Sequence, residues 1–228
     1  MKAIIFDFDG TILDTEHTEL TAWQYIYSNY NSILPVEQWL RRVHITPQNF
    51  DPMLHLEKTL GRPLDRDQVT KHRREKLAEL VIDLKPLPGI EDWILTAHAL
   101  GLKLAVASSS PRYWVVGHLE RTNLLTYFDL IITKEDVKAS KPNPEAYQMV
   151  LDHFQIKADE ALAIEDSPVG ASAAVSAGLR CIIVPNKLTK GLTFPLTFRT
   201  VSNLVELSLH KTIEELTPNP FVLVKHIF

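Results

Sequence analysis

Two carboxylates two residues apart, Asp7 and Asp9, follow the apolar run Ala3-Ile4-Ile5-Phe6 and precede Gly10-Thr11. A short β-branched run broken by acids and Gly reads as a buried strand emptying into a loop. Side chains alternate across a strand, so Asp7 and Asp9 project to one side and Phe8 to the other. Two acids in one small volume repel each other unless a cation joins them or one keeps its proton. Three more sets of reactive side chains stand behind apolar runs: Ser108 and Ser109 after 102–107, Lys141 in the loop after 128–132, and Glu165-Asp166 after 161–164. Taken singly, each has a plain explanation as a helix cap, a solvated loop lysine or an acidic helix start. Together with the plain reading of Asp7 and Asp9 as a strand end followed by an Asp-Gly turn, those explanations require four coincidences at four strand ends, which is where open parallel sheets keep their ligands.

The elements that must position these groups can be read in order. After Thr15 the pattern is helical to about Pro86. Leu20, Trp23, Tyr27 and Tyr30 mark a helix over about 16–30. Further helices are predicted over Val36 to Val43, Met53 to Leu60 with Gly61 as its stop, and Leu64 to about Leu84, the last with an Asp65 to Gln68 start signal. From Leu87-Pro88-Gly89 helix and strand alternate. Helices are predicted at 90–100, from Pro111 to about Thr122, at 144–154 and at 169–177; strands at 102–107, 128–132, 161–164 and 180–184. Such alternation builds an α/β, doubly wound, parallel-sheet core of Rossmann-like type with helices on both faces. Residues 1–15 and 86–210 are expected to form this core, residues 16–85 an inserted α-helical cap domain, and residues 211–228 a tail ending in an extra edge strand or a partner contact.

The chain has 228 residues, 45% apolar and 23% charged, with a net charge of −4. Length and composition suit one soluble core domain with an insertion. The charge argues against a nucleic-acid binder resting on phosphate neutralisation. The single cysteine, Cys181, lies in the apolar run Cys181-Ile182-Ile183-Val184, which excludes a disulfide framework. Only four apolar residues separate Lys2 from Asp7, too few for a signal peptide, and no run approaches membrane-spanning length. A cytoplasmic protein without a membrane or nucleic-acid partner is expected, a monomer with a dimer left open.

Asp7-Phe8-Asp9-Gly10-Thr11, Ser108 after an apolar strand, Lys141 before Pro142 and Glu165-Asp166 before Ser167 resemble, in order and spacing, the four motifs of the haloacid dehalogenase superfamily in its phosphatase branch, the β-phosphoglucomutase-like and phosphoglycolate phosphatase-like group. The resemblance covers residues 1–208, with the helical insertion where that group carries its small cap. It implies a phosphatase of small phosphorylated metabolites. Asp7 would be the nucleophile that forms an aspartyl-phosphate, and Asp9 the acid and then base. Ser108 and Ser109 would seat the phosphate with their hydroxyl and backbone N–H groups, and Lys141 would set a positive charge against phosphate and Asp7. Asp7, the backbone carbonyl of Asp9 and Asp166 would hold Mg²⁺, with Glu165 as a ligand or as acceptor for metal-bound water.

The cap bears on the substrate. The phosphosugar mutases of the group carry a His four residues before the Trp that matches Trp23; here that position is Glu19, and His17 lies about 200° around the helix. This favours hydrolysis over the alternative, a β-phosphoglucomutase-like isomerase. Arg41-Arg42 and Lys71-His72-Arg73-Arg74 are candidate contacts to a charged substrate, although Glu75 and Glu79 interleave with the second run as in a solvated helix face. Trp23, Trp39 and Tyr27 are expected in the cap core, and His44, His55 and His118 have no assigned role. Hinges are expected near Asp14-Thr15-Glu16 and Lys85-Pro86-Leu87-Pro88.

Overall fold

The computed structural model describes residues 1–41 and 50–216. Six parallel strands form one sheet in the order β3-β2-β1-β4-β5-β6: β1 Ala3–Phe6, β2 Lys103–Ala107, β3 Leu130–Ile132, β4 Ala161–Glu165, β5 Arg180–Ile183 and β6 Arg199–Thr200. β1 lies at the centre, with Phe6 opposite Val106 on one side and Ile164 on the other. Its four residues are buried on both faces, as a central parallel strand requires.

Period-two alternation splits the strands between two cores. Ile4, Phe6, Leu104, Val106, Leu162 and Ile164 face one layer, packed on Trp93 and Ile94 of α5 (Ile90–Ala99) and on Val115 and Leu119 of α6 (Arg112–Arg121). Ala3, Ile5, Ala105, Ala107, Ala163 and Cys181 face the other, under Tyr147 and Val150 of α7 (Glu145–Phe154) and Ala171 and Ala174 of α8 (Pro168–Ser176). The five expected strands are all present. The sixth, β6, has no apolar run to announce it; Arg199 and Thr200 are strand residues only because they align with Ile182 and Ile183.

Between β1 and α5 the described residues carry helices only: α1 Thr15–Asn29, α2 Val36–Leu40, α3 Pro52–Leu60 and α4 Arg66–Val81. They close on a core of their own containing Leu20, Trp23, Ile26, Tyr27, Trp39, Leu56 and Val69. The Asp65 start signal is real, since its carboxylate accepts from the Gln68 N–H at 3.0 Å, and Gly61 ends α3 at φ +67°. Of the cap helices, α2 is described to Leu40 and the end of its expected span, Arg42 and Val43, falls outside the described residues together with His44, whereas α4 is shorter than expected. α4 stops at Val81 instead of about Leu84, and the Arg121 guanidinium donates to the Ile82 and Leu84 carbonyls just past its end.

Residues 211–216, at the head of the segment set apart as a tail, belong to a helix, α9 (Leu209–Leu216), whose Leu209 and Leu216 are buried in the first core layer. Its continuation, Pro218, Pro220 and the run 221–224 included, lies outside the described residues. No helix among the described residues is long and apolar enough to cross a membrane.

Candidate active site

The site is built where the strands end. Asp7 extends β1 by one residue, its N–H donating to Ile164 O at 2.9 Å, so its side chain enters at the sheet's centre between the ends of β2 and β4. The chain then turns. Phe8 O accepts from the Ile12 N–H at 2.9 Å, and Gly10 takes φ +84°. A Cβ at position 10 would lie 2.4 Å from Asp166 Oδ2 and 2.5 Å from Asn186 Nδ2, so the turn passes against Asp166 only because it lacks one.

On one side of Asp7 lies a buried ionic cluster. Lys141 Nζ is 2.6 Å from Asp7 Oδ1 and 2.6 Å from Glu165 Oε1. The Tyr147 hydroxyl donates to the same Glu165 oxygen, and its ring faces the ammonium at 5.0 Å. Asp166 Oδ2 accepts from Asn186 Nδ2 at 2.7 Å, and the amide is oriented by the Leu188 and Thr189 N–H groups that donate to its Oδ1. Asp7, Glu165 and Asp166 each offer an oxygen within 4.8 Å of the others, all three buried.

Three buried acids face one lysine, and the imbalance shows in their proton affinities. Burial, reinforced by Glu165 and opposed by Lys141, pushes Asp7 up to about 7. Burial together with Asp7 and Glu165 holds Asp166 well above the usual carboxylate range. Glu165 Oε2 is buried without a hydrogen-bond partner. Unlike the paired Oε1, it is an oxygen a cation would satisfy. An all-oxygen donor set of this kind fits a hard divalent ion.

Asp9 turns the other way, into a different set of donors. Its Oδ1 accepts from Thr15 Oγ1 at 2.6 Å and Trp114 Nε1 at 2.8 Å; its Oδ2 accepts from Ser110 Oγ at 2.5 Å, with Ser108 Oγ at 3.4 Å. It opens onto a cleft of about 910 Å³ between the cap and the core, walled by Arg73, Arg74, Leu77 and Val81 of α4 and by Tyr113 and Trp114 of α6. Glu19 also lines the cleft, with its Oε1 2.5 Å from Arg73 Nη1.

The fold therefore brings Asp7, Lys141, Glu165 and Asp166 into one cluster and sets Asp9 and Ser108 beside it. The Asp9 side chain lies outside the acidic triad, so its carboxylate and the metal-site acids are separated within one loop. Ser109 is exposed; Ser110 is the serine that turns to Asp9. Lys71 and Lys76 pair with Glu75 and Glu79 along the surface of α4, whereas Arg73 and Arg74 face the cleft.

Residues 4–184 match the profile of the haloacid dehalogenase-like hydrolases. The chain belongs to that family. It is 40% identical over 216 residues, 95% of this chain and 98% of the relative, to "Putative phosphatase YhcW" of Bacillus subtilis. It is 30% identical over 184 residues, 80% of this chain and 84% of the relative, to the phosphorylated carbohydrates phosphatase of Thermotoga maritima. A crystal structure titled as a putative beta-phosphoglucomutase from Thermotoga maritima superposes with a TM-score of 0.76 at 26% identity, covering 95% of this chain and all of that one. This haloacid dehalogenase-like hydrolase is an enzyme of the phosphatase type, and its doubly wound fold is that of its relatives.

Five polar side chains at the site are not singled out by the sequence of this family member: Thr15, Ser110, Trp114, Tyr147 and Asn186. Asn186 stands three residues past β5 and obeys the same strand-end rule that exposed the others. Thr15 directly follows the loop acids. Trp114 and Tyr147 sit inside helices, where nothing in spacing separates a polar tip aimed at a site from a ring buried in a core.

Proposed function

We propose that the chain hydrolyses a small, soluble phosphomonoester through an aspartyl-phosphate on Asp7, with Mg²⁺ held by Asp7, the Asp9 carbonyl and Asp166, and Glu165 beside them. The observation that carries this reading is the division at the end of β1: Asp7 bound to Lys141 in the acidic cluster, Asp9 turned to the cleft. Bound there, the cation would draw charge from the phosphate and let all three buried acids stay ionised.

An oxygen of Asp7 bonds to phosphorus as the ester P–O bond breaks. The electron pair goes to the leaving oxygen, which takes its proton from Asp9. Asp9 then accepts a proton from water as the water oxygen bonds to phosphorus and the P–O bond to Asp7 breaks. Lys141 holds Asp7 in place and opposes the charge of the phosphate; the N–H groups and hydroxyls of Ser108 and Ser109 seat its oxygens. The mutase alternative is not favoured, because Glu19, at the position of the mutases' histidine, is occupied by Arg73. The setting proposed is cytoplasmic, the protein a monomer.

Purified protein is expected to release phosphate from an aryl phosphate with Mg²⁺, to stop in EDTA and to stop again in Asp7→Asn. A panel of metabolite phosphates at fixed Mg²⁺ then identifies the substrate. Activity that survives Asp7→Asn removes Asp7 as nucleophile, and conversion of β-glucose 1-phosphate to glucose 6-phosphate without free phosphate replaces hydrolysis by the mutase reaction.

A further inference from the structure

Among the described residues, Trp114 is the one side chain that packs against the first core layer, packs against the cap and bonds to Asp9. Its ring stands edge-on to His118 with centroids 4.3 Å apart, and His118 is buried and stacked on Phe8. From the cap, Ala22, Leu77 and Val81 form a small apolar cluster against which Trp114 packs. From this fixed seat the indole N–H reaches Asp9 Oδ1 at 2.8 Å. Thr15 holds the same oxygen from the first residue of α1, and Ser110 holds the other. A carboxylate held at both oxygens loses hydrogen bonds if it rotates, and an indole N–H is a donor only, so it orients without exchanging a proton.

We propose that Trp114 is a positioning residue for the phosphoryl transfer: it aims the Asp9 carboxyl at the leaving oxygen and ties that aim to the seating of the cap. The inference rests on the reading of Asp9 as acid and base. Proton donation matters in proportion to the basicity of the leaving oxygen. When an alkyl ester P–O bond breaks, the departing alkoxide must take a proton; 2,4-dinitrophenolate leaves as a stable anion and needs none. Misaiming Asp9 therefore harms the first reaction and spares the second.

The test compares kcat/KM for glycerol phosphate and 2,4-dinitrophenyl phosphate in wild type, Trp114→Phe, Trp114→Gln and Asp9→Asn, all at saturating Mg²⁺. Trp114→Phe keeps an aromatic ring in the seat and removes the N–H. It is expected to lower kcat/KM about tenfold on glycerol phosphate, a partial loss of the roughly 10²–10⁴-fold that general acid catalysis contributes, and to leave dinitrophenyl phosphate nearly unchanged. Trp114→Gln, which restores an N–H without the ring, is expected to regain part of the loss on the alkyl ester. Equal losses on both esters, no loss on either, or a Trp114→Phe chain that does not fold would make Trp114 a packing residue and overturn the proposal. A wild type inactive on both esters, or Asp9→Asn losing both equally, would instead overturn the phosphatase or acid assignment, and the proposal with it.

Discussion

The carboxylate of Glu165 rests directly on Gly170: a Cβ built on that glycine would lie 2.0 to 2.3 Å from Glu165 Oε2, Cδ and Oε1. Gly170 lies in the first turn of α8, where its N–H donates to the N-cap hydroxyl of Ser167 at 3.2 Å. The helix start and the acidic cluster are thus built on each other.

Gly170→Ala sets two effects in opposition. Alanine favours a helix by up to ~1 kcal/mol over glycine, while overpacking a closed core costs about 1–3 kcal/mol. Glu165 is fully buried and held by Lys141 and Tyr147, so it cannot swing aside. The clash wins. The variant is expected to unfold at lower urea and to bind Mg²⁺ more weakly by titration calorimetry; an unchanged urea midpoint would show that the cluster yields freely.

Lys141→Met leaves Asp7 and Glu165 without the cation buried between them. Breaking a buried ion pair from one side costs about 3–5 kcal/mol. Part of that is avoided if the acids take up protons, and Asp7 is already raised to about 7 with Lys141 in place. The metal-free variant is therefore expected to melt well below wild type, with the gap narrowing as the pH falls. Phosphatase activity is expected to drop by at least ~100-fold, the scale of removing one charge-stabilising donor. Melting curves at pH 5 and pH 8 check the first expectation, initial rates the second.

Much of this was legible in the sequence because strand ends announce themselves. Ala3-Ile4-Ile5-Phe6 is apolar on both faces because both faces are covered, and the acids that follow must then lie at the rim. The same logic located Ser108, Lys141 and Glu165-Asp166. What stayed hidden depends on pairing over long separations. β6 exists through its register with β5 alone. Trp114 and Tyr147 reach Asp9 and Glu165 across 105 and 18 residues, and a helix sequence does not say which tip meets a partner. The ion pair between Arg73 and Glu19 spans 54 residues; from sequence alone Arg73 looked like its solvated neighbours on α4.

A divalent cation is expected to stabilise the folded chain, because Asp7, Glu165 and Asp166 converge only when it is folded. Binding at a hundred times Kd adds about 2.7 kcal/mol, which for a chain of this size raises Tm by roughly 5–10 °C. Asp166→Asn removes one charge and one carboxylate oxygen from the triad and is expected to abolish most of the Mg²⁺-dependent rise in a melting experiment. A full rise in that variant would place the ion elsewhere.

The loop that delivers Lys141 is anchored at its start by Asp136, which gives stability and function a common acid dependence. Asp136 Oδ2 accepts from the Thr133 N–H and hydroxyl, each at 2.8 Å, and from Arg112 Nη2 at 2.6 Å. Burial raises its proton affinity, but these bonds outweigh burial and hold the carboxyl below the usual aspartate range. With the folded value below the unfolded one, its contribution is complete above the unfolded value of about 3.9 and is lost as the pH falls through the folded value. Thr133 is fully buried, so its N–H and hydroxyl have no water to turn to when the carboxylate is gone. Asp136→Asn is expected to cost about 1.5–3 kcal/mol at pH 7, the worth of hydrogen bonds to a charged group, and to converge with wild type near pH 3 in urea unfolding. Because Thr133 leads directly into the loop that ends at Lys141, kcat is expected to fall with stability at pH 7. A variant as stable as wild type at pH 7 would mean that Arg112 and Glu135, whose carboxylate accepts from the Arg112 N–H at 3.0 Å, hold the loop without Asp136.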